Sequence, residues 1–101
     1  MSKSEPVFES FDKILCSQTR LAIMTLLFKG DEMDFVFLKD KLNLTDGNLS
    51  IHLRTLEQAG YIKVKKSFFE RRPKSTYKIT PKGQQNFINY VKILETIIKK
   101  R

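Results

Sequence analysis

Residues 44–62 read Leu-Thr-Asp-Gly-Asn-Leu-Ser-Ile-His-Leu-Arg-Thr-Leu-Glu-Gln-Ala-Gly-Tyr-Ile, and no other stretch constrains the fold as tightly. Leu49, Leu53 and Leu56 recur at i, i+4 and i+7, which stacks them on one face of a helix turning about 100° per residue. Thr45, Asp46 and Asn48 each carry an oxygen able to accept from a free backbone N–H at the helix start, and the sequence does not choose among them. Gly60 supplies the stop, after which Tyr61 and Ile62 open an extended segment. The face opposite the leucines carries Gly47, Ile51, Arg54 and Gln58, with Ser50 and Thr55 at its edges. It is small or polar near its start, holds one Arg and has no acidic residue at its centre. Such a face can enter a negatively charged groove.

Helices are expected before it. Pro6, Phe8, Phe11, Ile14 and Leu15 suggest a short first helix. Ser17 can cap a second, largely buried one that carries Leu21, Ile23, Met24, Leu27 and Phe28 and stops at Gly30. Met33-Asp34-Phe35 reads as a single short strand, and residues 36–42 as a third helix with Leu38 and Leu42 in the core. A tight Asn43-Leu44-Thr45 turn then leads into the helix over 45–59. Two helices so joined, the second with a polar outer face, form a helix-turn-helix.

After Gly60 the period changes to two. Tyr61, Ile62 and Val64 precede Lys65, while Tyr77 and Ile79 alternate with Thr76, Lys78 and Thr80, so two strands flank 68–75. The spacing predicts a hairpin with a long, basic tip of Glu70, Arg71, Arg72, Pro73 and Lys74. Pro73 cannot donate to a ladder and is expected in the loop. One of Phe68 and Phe69 is expected to turn into the core. Thr80 and Pro81 signal a last helix, Thr as cap and Pro at its first position. Phe87, Tyr90, Val91, Leu94, Ile97 and Ile98 follow at i, i+3, i+4, i+7, i+10 and i+11, a stripe widened by Ile88 and Ile93. Twenty residues of helix run about 30 Å, more than a small body can cover, and an exposed apolar stripe of that length marks an interface. A second copy is the expected partner, with Phe8, Phe11 and Leu15 contributing from the first helix.

Charge agrees with the helix face. A chain of 101 residues makes one domain, and its 19 basic and 11 acidic residues leave +8, which favours a polyanionic partner over a merely solvated surface. Residues 1–38 hold four basic and six acidic side chains, 39–82 eleven and four, and 83–101 four and one, so the positive charge collects on the middle segment. The single Cys16 and the absence of a charged leader before an apolar run point to the cytoplasm. The apolar run 21–28 is broken by Thr25, far short of the roughly 20 residues a bilayer span needs, so no membrane is expected. One Cys and one His, 36 residues apart, cannot supply the roughly four ligands of a closed zinc site, and neither metal nor cofactor is expected. No nucleophile is paired with a base, no carboxylates cluster and no Gly-rich loop could cradle phosphate, so the chain does not read as an enzyme.

A helix-turn-helix followed by a basic hairpin is the winged-helix arrangement, and the chain resembles the small stand-alone winged-helix regulators related to the ArsR and MarR families. Arg20-Leu21-Ala22-Ile23, Leu44-Thr45-Asp46-Gly47-Asn48-Leu49-Ser50, His52-Leu53, Leu56-Glu57-Gln58-Ala59-Gly60-Tyr61-Ile62 and Tyr77-Lys78-Ile79-Thr80-Pro81-Lys82-Gly83 carry the likeness, which covers about residues 8–91. The expected fold is mainly α with a small β-hairpin (α+β): one domain over 1–101, with a winged body over 8–79 and a dimerisation helix over 80–101. The resemblance implies a homodimeric transcriptional regulator on a roughly palindromic site in double-stranded DNA. Thr45, Gly47, Asn48, Ser50, Ile51, Arg54 and Thr55 would then face the major groove. Arg71, Arg72 and Lys74 of the wing, over about 67–76, would meet the adjacent backbone or minor groove.

The chain departs from metal-sensing ArsR proteins in lacking their ligands, and from larger MarR proteins in lacking the helices that enclose a ligand pocket. No small-molecule effector is assigned. A docking module in a larger assembly is the alternative, which an acidic or apolar recognition face would favour; this one is polar and basic. His52 reads as a boundary residue packing against the hairpin, with a phosphate contact as its other reading. Cys16 reads as a reduced structural thiol, with redox sensing as the other.

Overall fold

The computed structural model describes residues 11–30 and 32–99. Its elements are α1 (Gln18–Lys29), β1 (Met33–Asp34), α2 (Phe35–Leu42), α3 (Asp46–Gln58), β2 (Ile62–Phe69), β3 (Arg72–Ile79) and α4 (Pro81–Lys99). Pro6 and Phe8 lie outside the described residues. Ile14 and Leu15, expected in a first helix, lie in a turn instead, and Phe11 lies at a bend. The Asp12 carboxylate accepts from the Ile14 amide (2.8 Å) and the Asp12 carbonyl from Leu15 (3.1 Å), a local arrangement that competes with helix.

Side-chain caps fix the helix ends. Ser17 Oγ accepts from Arg20 N (3.2 Å) at the start of α1, and Thr45 Oγ1 from Asn48 N (3.2 Å) at the start of α3, which settles the choice left open among three oxygens. Asp34 Oδ1 accepts from Phe37 N (2.7 Å), so the third helix begins at Phe35 rather than 36, and the first strand is shorter than expected. Asn43, at φ 55°, closes α2 in the left-handed conformation. Gly60, at φ 83°, does the same beyond α3. Thr80 joins two elements: its hydroxyl accepts from Gly83 N (2.9 Å) and donates to Gly60 O (2.6 Å). A Cβ at Gly83 would run into the Tyr61 carbonyl, so α4 can leave the sheet here only without a side chain.

The antiparallel sheet has the order β1-β3-β2. Ile62 faces Ile79, Val64 faces Tyr77, Phe68 faces Pro73 and Phe69 faces Arg72. The expected long tip is therefore a two-residue turn at Glu70 and Arg71, both at positive φ (51° and 68°), the conformation that matches a hairpin's twist. Pro73 lies in the strand, not the loop. In a two-residue hairpin the flanking pair Phe69–Arg72 exchanges hydrogen bonds, so the next pair does not, and Pro73 forfeits nothing to β2. On its other edge β1 reaches only to Thr76.

The core gathers Leu15, Ile23, Met24, Leu27, Leu38, the three leucines of α3, Tyr61, Ile62, Ile79, Phe87 and Tyr90. α1 is less buried than expected, because Phe28 sits at its edge, 5.0 Å from the Phe87 ring. Phe68 and Phe69 are both exposed, and neither turns into the core; the register carries them beyond the buried Ile62–Ile79 pair, and Phe69 shares an open pocket with Phe35 and Val36 at the start of α2. None of the described helices is long and apolar enough to cross a membrane.

Candidate nucleic-acid interface

Burying Leu49, Leu53 and Leu56 turns the other side of α3 outward. Thr45, Gly47, Asn48, Ser50, Ile51 and Arg54 are all exposed. Thr55 is half-buried, and its hydroxyl donates to Ile51 O (3.1 Å). The carboxylate at the start of this face is neutralised locally, since Asp46 lies 2.9 Å from Lys39 Nζ of α2. The hydrogen bond and the charge of Asp46 raise the Lys39 pKa above its ordinary value, and this solvent-exposed pair spans the corner between the two helices. Arg54 has no ion-pair partner among the described residues.

A groove runs between α3 and the hairpin, lined by Ser50, Leu53, Arg54, Glu57, Val64, Lys66 and Tyr77. Burial lifts the Tyr77 phenol above its usual pKa against a lowering hydrogen bond from Ser75, and Glu57 adds to the rise. Lys66 is a residue the sequence reading missed. Its signal was available: counting by twos from the buried Ile62 puts 64, 66 and 68 on one face of β2.

The hairpin's other face carries Lys63, Lys65, Lys78, Lys74 and Arg72, again unforeseen at the first three positions. Lys63 and Lys78 stand directly opposite one another, a like-charge pair that costs stability unless an anion lies across it. Arg71 and Arg72 are exposed at the tip. Lys74 is partly engaged within the chain, 3.7 Å from Asp34 and 5.1 Å from the centre of the Phe69 ring. The structure thus brings Ser50, Arg54 and Lys66 to one groove and sets Arg71 and Arg72 at the far end of the same hairpin.

His52 meets α1, not the hairpin as expected. Its Nδ1 lies 3.2 Å from Arg20 Nη1, while Arg20 Nε donates to Ile14 O (2.7 Å). Burial, then the Arg20 charge, lowers the imidazole pKa; the neutral ring can accept a hydrogen bond from Arg20 Nη1 at Nδ1. Tyr61 donates to the Asp12 carboxylate, and burial first, then this bond, raises its pKa. Cys16 is exposed, and the Tyr90 hydroxyl donates to its sulfur at 3.8 Å.

Of the residues expected to face a second copy, Phe8 lies outside the described residues. Leu15, Phe87 and Tyr90 are buried in the chain's own core, which leaves them little surface to offer. Phe11, Val91 and Leu94 are half-buried, whereas Ile97 and Ile98 are 42% and 67% exposed.

Helix, turn, outward-facing helix and antiparallel hairpin together form a winged helix-turn-helix. Residues 19–98 match the winged helix DNA-binding domain family, and the chain belongs to it. An uncharacterized protein of Methanocaldococcus jannaschii is 47% identical over 79 residues, 78% of this chain and 86% of that one. Among solved structures, a transcriptional regulator homologue from Pyrococcus horikoshii superposes with a TM-score of 0.84 at 31% identity, over 93% of this chain and 91% of that one. The YusO protein of Bacillus subtilis has the same fold, with a TM-score of 0.79 at 17% identity over 93% of this chain and 66% of its own.

Proposed function

We propose that the protein is a sequence-specific regulator of transcription that binds double-stranded DNA as a homodimer in the cytoplasm. In this reading α3 lies in the major groove with Thr45, Gly47, Asn48, Ser50, Ile51, Arg54 and Thr55 toward the bases. Arg71, Arg72 and Lys74 of the wing meet the adjacent backbone or minor groove. The observation that carries it is the shared groove of Arg54 and Lys66, continued by the exposed arginines of the wing tip. The likeness to a transcriptional regulator homologue supports it. Val91, Leu94, Ile97 and Ile98 on α4 supply the apolar surface for the dyad, which would set two recognition helices about 34–36 Å apart.

Selection of bound duplexes from a random pool, followed by titration in salt, tests the reading. A common motif should emerge, and log affinity should fall linearly with log salt at about 0.9 per phosphate neutralised. Failure to retain any duplex, or binding indifferent to salt, overturns it. The dimer is tested by the solution mass of Ile98→Glu, a position exposed in the protomer: the expected outcome is a folded monomer with no preference for a palindrome over a half-site.

A further inference from the structure

Phe68 is 77% exposed, more than any other large apolar side chain described. Its place in the hairpin is set by register. Ile62–Ile79 and Val64–Tyr77 pack inward, Lys66, opposite Ser75, borders the groove beside Arg54, and Phe68–Pro73 comes next on that same face. Four residues of strand put Phe68 about 14 Å beyond Val64, clear of the body and on the side where α3 presents its polar residues. Pro73 directly opposite stiffens the position with its fixed φ, and the two-residue turn at Glu70 and Arg71 leaves no slack beyond it. Phe69 points to the other face, where its ring lies under the Lys74 ammonium, itself held toward Asp34. The two aromatics therefore differ: one is braced, the other is exposed near a tip that Arg71 closes.

We propose that Phe68 is a wedge that enters the minor groove and inserts between base pairs, so that binding bends the duplex. This rests on reading the hairpin as a wing that contacts DNA. An apolar ring needs an apolar site, and from the minor groove a duplex offers one between stacked base pairs; prying a step open there kinks the helix by about 20–90° toward the major groove. Arg71 in the turn and Arg72 on the hairpin's other face meet phosphates of the groove that Phe68 enters.

The test uses the full chain and a duplex of about 30 base pairs, short against the persistence length of DNA, selected by the protein from a random pool and labelled with donor and acceptor at its ends. The parent protein should shorten the end-to-end distance. Phe68→Ala should still bind while leaving the DNA straight, Phe68→Leu should keep part of the bend, and Phe69→Ala should keep all of it. With 2-aminopurine at successive positions, a single step should brighten with the parent and stay dark with Phe68→Ala. Both rings are exposed, so these variants are expected to fold, and circular dichroism checks that. If no duplex is selected, the DNA reading itself falls. If DNA is bound but stays straight, or bends equally with Phe68→Ala, the wedge alone is wrong. If Phe68→Ala instead lowers the mass of the free protein, the ring is a contact between copies and the wedge is overturned.

Discussion

α3 and the outer half of the hairpin both present residues to the same side of the molecule, but they are held there by different means. Every turn of α3 is pinned from behind by a buried leucine, so its outward face can vary without touching what positions it. Beyond Val64 the hairpin has no core beneath it. Cross-strand pairs, a two-residue turn and a proline supply its order, and its side chains are at once structure and surface. The helix therefore suits the reading of bases, which needs rigid placement, and the hairpin suits a charged or apolar reach into a neighbouring groove.

The sharpest test of that contrast is to cut into each support. Leu53→Ala opens the core behind α3 and should cost about 2–5 kcal/mol, seen as a large drop in the denaturant midpoint and loss of DNA binding together. Phe69→Ala removes an equally apolar residue from the hairpin and should change stability by no more than about 0.5 kcal/mol. A comparable loss from both would mean that the hairpin packs on something beyond the described contacts.

A smaller effect separates the two regions in binding. Arg54→Ala should lose about 1–3 kcal/mol at the preferred sequence and flatten discrimination at one position. Arg72→Ala should weaken binding to all sequences alike and reduce the salt slope by about one unit. If Arg72→Ala alters base preference instead, the wing arginine reads minor-groove shape, and the division of labour is redrawn.

The turn itself offers the next effect. Glu70 and Arg71 both occupy left-handed backbone, which costs a non-glycine residue about 1–2 kcal/mol. Glu70→Asn should therefore raise the melting temperature, and by removing a carboxylate from the tip it should also tighten DNA binding. Arg71→Gly should stabilise the hairpin yet weaken binding, so the two readouts move in opposite directions. Stability unchanged in both would show that the turn is not strained.

The same residues show what could be read from the sequence. The leucines of α3, the caps at Ser17 and Thr80 and the stop at Gly60 are local signals, each complete within one or two turns of helix, and the structure contains all of them. The tight turn was hidden because Glu-Arg lacks the Asn or Gly that advertises left-handed backbone, and Pro73 suggested a loop. Its placement depends on which edge of β3 lacks a partner strand, a tertiary fact. Asp34 was read as a strand residue and Asp12 was given no role, yet Asp12 makes a turn and Asp34 caps a helix. Lys66 could have been found by extending the alternation of β2. The Arg20–His52 contact, 32 residues apart in sequence, left no local trace.

That contact carries the smallest expected effect and distinguishes the back of α3 from its front. Because burial and the Arg20 charge hold the His52 pKa below its ordinary 6.5, the folded protein binds this proton more weakly than the unfolded chain does. The stability it contributes is therefore complete above about pH 6.5 and is lost as pH falls through the lower folded pKa. His52→Gln keeps an oxygen that can accept from Arg20 but does not titrate. Denaturant midpoints compared between about pH 7 and pH 5.5 should fall for the parent and fall less for His52→Gln, while both bind DNA equally at the upper pH. Equal slopes in parent and variant would assign the acid sensitivity to other groups. A loss of affinity in His52→Gln at neutral pH would instead return His52 to the phosphate contact that was the other reading of this residue.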